Sequence, residues 1–155
     1  MNSALMPEIR IRDAQSDDFP RIVELNAAAV AHTSVMDGTR LAVLHALSWY
    51  HKVIAVDGRV AGFLLAMRES APYRNDNFAF FAARFETFIY IDRIVIAPDS
   101  AGLKLGSMLY ADLFGYARQN AVPAVACEYN IEPPNEPSRR FHEKFGFTEI
   151  GRQWL

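Results

Sequence analysis

The chain has one cysteine, Cys127, in 155 residues. An internal disulfide framework is therefore excluded, and a reducing compartment suits it. No stretch approaches the roughly 20 apolar residues that a membrane-spanning helix needs. The amino-terminal MNSALMPEIR lacks the basic-then-apolar pattern of a secretory signal, so a soluble, cytoplasmic protein is expected. Charge of one sign is also scarce. The formal net charge is −2, and no global field would draw nucleic acid or an anionic membrane. His32, His45 and His51 show no metal-ligand spacing, so no metal is expected. Internal repeats and low-complexity linkers are missing. What is present is apolar content, 51% of residues, enough to bury the core of one compact domain over residues 1–155.

Read in order, Glu8 to Arg12 alternates with Ile9 and Ile11 on one face, a first strand. Ser16, Asp17 and Pro20 open an amphipathic helix carrying Phe19, Ile22, Val23 and Leu25. Asp37 caps a second helix, expected from about Thr39 to Tyr50. Lys52–Val56 and Val60–Met67 flank Asp57-Gly58, a two-residue hairpin turn that requires positive φ. The connection Glu69–Thr87 is rich in phenylalanine. It reads either as a binding loop or lid, or as a short helix plugging the core. Phe88 to Ile96 is a β-branched strand, followed by a polar turn with Pro98 and Gly102 and an amphipathic helix to Asn120. Val122–Glu128 reads as a strand and Asn135 as the cap of a helix Glu136–Lys144. Gly146 ends that helix, and Phe147–Gln153 alternates as a final strand. The order βααββ(loop)βαβαβ gives a mixed α/β domain with one central sheet.

Phe88–Asn120 organises the rest. A strand that feeds a polar turn into a helix N-terminus makes an anion site, because unbonded backbone N–H groups and the positive dipole end converge there. The stripe Leu105, Met108, Leu109, Leu113 and Tyr116 should be buried. Tyr110 and Phe114 fall on the opposite side, as a self-association patch or a surface covered by the first helix.

Two segments resemble the GNAT-type N-acetyltransferases, which use acetyl-CoA. The first, IVIAPDSAGLKLGS from Ile94 to Ser107, matches the family's strand, proline and Q/R-x-x-G-x-G/A phosphate loop. The second, NEPSRRFHEKFGF from Asn135 to Phe147, matches N-x-x-A/S-x-x-x-Y-x-x-x-G-F throughout its spacing. The likeness runs over nearly the whole chain. It implies an acyl-CoA N-acyltransferase fold and CoA contacts from Ile94, Val95 and Ile96 on the strand. Further contacts are implied at Ala101, Gly102, Leu103, Lys104, Leu105, Gly106 and Ser107 in the turn, and at Asn135, Ser138, Arg139 and His142 in the second motif. Backbone N–H groups at Ile94 and Ile96 would stabilise the oxyanion. Three departures stand out. The Q/R position holds Ala101, the first loop glycine is Lys104, and the tyrosine that protonates the leaving thiolate is His142. Members also carry one more strand after GFTEIGR, and an uncovered sheet edge invites pairing with another chain, so a homodimer is possible.

Acetylating an amine requires a base for the ammonium, donors for the oxyanion and a proton for the thiolate. By period two, Tyr90, Asp92, Ile94 and Ile96 share one strand face. Asp92 is thus a candidate base or water-orienting group, or else a structural partner of Arg93. Glu128, where the two central strands would diverge, is a second candidate, and Tyr129 beside it could bond substrate or thiol. His142 is a competent proton donor near neutral pH, or a surface helix histidine. Cys127 reads as a packed thiol. The acceptor wall is assigned to Tyr73, Phe78, Phe81, Phe85 and Tyr90, which suggests an amine with an apolar portion. Two functions follow: direct acetyl transfer to a primary amine of a small molecule or peptide, or acyl-CoA binding without turnover as a sensor or interaction module.

Overall fold

A computed structural model describes residues 6–30, 33–100, 102–128 and 136–152, without side-chain detail at 136–138. Strand β1 spans Ile9–Asp13 and helix α1 Phe19–Ala28, entered through a 3-10 turn over Ser16–Asp18. Helix α2 covers Gly38–Leu47, with Asp37 Oδ1 accepting from the Arg40 N–H at 2.8 Å. It stops short of the expected Tyr50, because the Ser48 hydroxyl and N–H both bond the carbonyl of His45 and the chain turns extended. Strands β2 (Tyr50–Val56) and β3 (Arg59–Arg68) form the hairpin. Its Asp57 and Gly58 lie at φ 50° and 83°, the doubly positive pair that matches the right-handed strand twist.

The phenylalanine-rich connection contains helix α3, Asp76–Ala82, capped by Asn75 Oδ1 on the Phe78 N–H at 3.0 Å. Phe78 and Phe81 are buried, so this segment plugs the core. Strand β4 (Ile89–Ile96) leads through a 3-10 turn, Pro98–Ser100, into α4 (Leu105–Gln119). Strand β5 is only Val125–Ala126, shorter than the expected Val122–Glu128, and α5 spans Glu136–Lys144. Residues 147–152 form no strand, contrary to the alternation that Phe147–Gln153 displays. A strand needs a partner for its ladder, and β5 offers two residues. The sheet is five strands in the order β1-β2-β3-β4-β5, antiparallel except for the parallel β4–β5 pair.

Both sheet faces are covered, which explains the unbroken apolar run of β3. On one face, Ile22, Leu25, Leu41, Leu44 and Phe78 pack on Phe63, Tyr90 and Val95. On the other, Leu105, Leu109 and Leu113 pack on Ile54, Leu64 and Ile91. Met108, expected in that stripe, is exposed instead. Tyr110, expected on the far side, is fully buried against Phe141, His142, Phe145 and Phe147. Helix α5 and the segment after it thus cover the position assigned to self-association or to the first helix. No helix among the described residues is long and apolar enough to cross a membrane.

Candidate active site

The site begins with a fault in the β3–β4 ladder. Leu65 opposes Arg93 and Ala66 opposes Ile91, so Asp92 is the extra residue of a β-bulge. One unpaired residue resets the side-chain phase. Tyr90 lies on the face of α1–α3, while Ile94 and Ile96 lie on the face of α4. The expected common face of Tyr90, Asp92, Ile94 and Ile96 is therefore wrong, and uninterrupted period two was the faulty premise. β5 pairs with β4 only at Ile89–Val125 and Tyr90–Ala126, so the two strands part at the bulge. The Ala97 N–H donates to the Ala61 carbonyl in β3 at 2.7 Å. Ladder alternation then turns the N–H groups of Ile96 and Ile94 away from β3, towards the side where β5 has diverged.

Two carboxylates occupy this fork. The Tyr90 hydroxyl donates to Glu128 Oε2 at 2.8 Å, and Asn77 bonds the same carboxyl. As a residue Glu128 is exposed along the cleft, but its carboxyl is drawn inward onto Tyr90 and Asn77. Burial pushes it up to about 7; the Tyr90 and Asn77 bonds pull down, and the charge of Asp92 pushes up. Asp92, its side chain only 3% exposed, accepts from the Tyr73 hydroxyl and, at 2.7 Å, from Arg93 Nε. Arg93 is equally buried, and its other nitrogens donate to Asn26 Oδ1, the Ser34 carbonyl and Ser34 Oγ at 2.9–3.1 Å. Asp92 and Arg93 thus form the buried ion pair that was one of the two expected readings.

His142 is buried in α5, with Nε2 2.7 Å from the Tyr110 hydroxyl. Tyr110 also bonds the Cys127 thiol, and burial raises both the phenol and the thiol, so each keeps its proton. Cys127 is the packed thiol expected. Sequence reasoning missed Tyr110 as a partner of His142; the signal was its apolar-stripe helix facing the second motif.

A cleft of about 1080 Å³ runs between β5, α3, α5 and residues 145–152. Glu128 and His142 both line it, with Asn77, Phe80, Phe81 and Phe85 on the α3 side. Of the expected acceptor wall, Phe81 and Phe85 reach the cleft. Tyr73 and Phe78 are core residues, and Tyr90 is fully buried with its hydroxyl on Glu128. Arg139 lines the cleft as well, its guanidinium 3.4 Å from Glu143. Tyr129, Asn135 and Ala101 lie outside the described residues, as does the side chain of Ser138.

At the turn, Gly102 and Lys104 adopt left-handed backbone, φ 94° and 60°. Lys104 thus takes the conformation that glycine favours, at the position where the matching motif has glycine. It is the N-cap of α4 and its own side chain does not cap the helix, so among the described residues the backbone N–H groups of Leu105, Gly106 and Ser107 are left for a phosphate. Gly106 has a second function, since a Cβ there would meet the Phe141 ring at 3.3 Å. Its missing side chain lets α5 approach α4. Val95 faces the opposite core, and Leu103 is half-buried.

The sequence matches the acetyltransferase (GNAT) family over residues 10–147. A phosphinothricin N-acetyltransferase of Streptomyces coelicolor is 37% identical over 89 residues, 57% of this chain and 46% of that protein. The matched region thus spans about half the length of that curated relative. Among solved structures, Ard1 of Thermoplasma volcanium superposes with a TM-score of 0.75 at 19% identity, covering 92% of this chain and 84% of that one. The aminoglycoside N-acetyltransferase AAC(6')-Iy, in complex with a bisubstrate analogue of CoA, gives 0.73 at 16% identity over 96% of both chains. At such identities the structural likeness is one of fold. The family match over most of the chain, together with the forked strands and the uncapped turn, places this protein in the GNAT acetyltransferase family.

Proposed function

We propose that the protein is an acetyl-CoA-dependent N-acetyltransferase that passes the acetyl group directly to a primary amine of a small molecule or peptide. The observation that carries this reading is that Glu128 and His142 line one cleft at the divergence of β4 and β5. Acetyl-CoA supplies the activated thioester. The reading of the turn as the phosphate site is supported by the Lys104 side chain leaving the first N–H groups of α4 uncapped and by the positive end of the helix dipole.

Glu128 is the base. A carboxyl held near 7 is half ionised at neutral pH, so it both accepts the ammonium proton and later releases it. The amine nitrogen then bonds the carbonyl carbon, and the main-chain N–H groups of Ile94 and Ile96 receive the oxygen's negative charge. As the C–S bond breaks, His142 gives a proton to sulfur and regains one from the nitrogen that becomes the amide, with Tyr110 fixing its ring. Phe81 and Phe85 meet the apolar part of the acceptor. The family's phosphinothricin and aminoglycoside acetyltransferases act on amines, which supports the reaction class.

Calorimetric titration with acetyl-CoA and thiol release over a panel of primary amines test the proposal. Binding with turnover that Glu128→Gln abolishes is the expected result. Binding without turnover on any amine favours the sensor reading, and no binding at millimolar acetyl-CoA refutes both.

A further inference from the structure

We infer that Asp92, the bulge residue clamped by Tyr73 and Arg93, is a positioning residue whose fixed charge keeps Glu128 reactive, and that it does not itself take the substrate proton. The inference rests on the reading of Glu128 as base and concerns the same site. Asp92 has no oxygen left for a substrate ammonium that is not already engaged. Oδ1 accepts from the Tyr73 hydroxyl and Oδ2 from Arg93 Nε. Asp92 is also absent from the lining of the cleft, whereas Glu128 is part of it.

Its charge nonetheless acts on the fork. Tyr73 and Tyr90 lie ring to ring, centroids 6.3 Å apart, one carrying Asp92 and the other Glu128. Two like charges in a partly desolvated fork raise the proton affinity of whichever is less well paired. Asp92 has the Arg93 guanidinium; among the described residues, the side chains bonded to Glu128 are the neutral donors Tyr90 and Asn77. Glu128 is therefore the group that takes up the proton: burial gives the larger push, and the charge of Asp92 adds to it.

Other titratable groups among the described residues also face this cleft. Cys127, its chain neighbour, and Tyr110 from α4 are both held protonated. His142 and the Arg139–Glu143 pair from α5 share the cleft, as does the Arg152–Glu149 pair beyond it. The bulge explains why the arrangement needs an extra residue. Regular alternation would leave no position at which both a carboxylate and Arg93 reach towards the α1–α2 connection, where Ser34 accepts and Asn26 braces the guanidinium.

The experiment follows the Glu128 carboxyl by 13C-detected NMR titration, which needs no turnover, alongside the pH profile of kcat/KM. In Asp92→Asn the Glu128 midpoint is expected to fall by about one pH unit, with the acid limb of the profile following and turnover persisting at pH 8. In Tyr73→Phe, where Asp92 loses a donor and both charges remain, the midpoint is expected to rise. This second variant decides the matter should Asp92→Asn not fold. A midpoint unmoved in both variants overturns the inference. So does loss of turnover at every pH in Asp92→Asn with the Glu128 midpoint unchanged, since Asp92 would then be the base. Failure of the wild type to acetylate any amine refutes the proposed function, while the NMR shift still decides the role of Asp92.

Discussion

Lys104→Gly tests the turn to which the proposed function assigns the cofactor phosphates. Lys104 is exposed, caps nothing with its side chain and sits at φ 60°, ψ 35°. For an L-residue this region costs about 1–2 kcal/mol through the clash of Cβ with the carbonyl. Glycine escapes the clash but loses about 0.5–1 kcal/mol more backbone entropy on folding. The difference leaves Lys104→Gly more stable than wild type by about 0.5–1 kcal/mol. For a chain of this size, that corresponds to a rise in Tm of about 1–4 °C, measurable by scanning calorimetry. Lys104→Ala keeps the Cβ and the clash, so its Tm is expected to stay within about 1 °C of wild type. A lower Tm for Lys104→Gly, or an equal rise for Lys104→Ala, would refute the claim that the backbone is strained at this position.

Glu128→Gln is expected to lower kcat by about 10²–10⁴, the usual contribution of a general base, and to erase the rise in rate through pH 7. Because the folded state raises this carboxyl from about 4.5 to about 7, stability is lost progressively as pH rises from about 4.5 through 7. The same variant should therefore raise Tm most at pH 8 and leave it nearly unchanged at pH 4. Acid sensitivity resides elsewhere. His51 Nδ1 lies 2.8 Å from His45 Nδ1, its Nε2 is buried without a partner among the described residues, and burial lowers its pKa to about 4. With the folded value below the unfolded one of about 6.5, stability is lost as pH falls from about 6.5 towards 4. His51→Leu should flatten that limb in urea titrations taken at each pH. In Gly62→Ala, a Cβ would lie 2.6 Å from Ile96 Cδ1 and 2.8 Å from the Val95 carbonyl oxygen. Overpacking between β3 and β4 is expected to cost about 1–3 kcal/mol, read as a lower urea midpoint with an unchanged slope.

Local chemistry decided much of this protein. Asp57-Gly58 made the hairpin, Asp37 and Asn75 capped their helices, and Phe88–Asn120 formed its strand, turn and helix, because each depends on residues near in sequence. Two motifs in order were enough to name the family and the fold. Partnership across the chain was not legible. The bulge at Asp92 is a mismatch between strand lengths, invisible in β4 alone, and it decided which side chains share a face. Tyr73 and Phe78 looked like a binding wall because aromatic content does not reveal burial, and the packing of α3 sent them into the core. Phe147–Gln153 alternates as a strand should, yet residues 147–152 stay irregular, since period two records only which face is apolar, and a strand also needs a neighbour to bond. The proton affinity of Glu128 likewise belongs to no single residue. It comes from burial in a fork that exists only once β4, β5 and α3 are assembled.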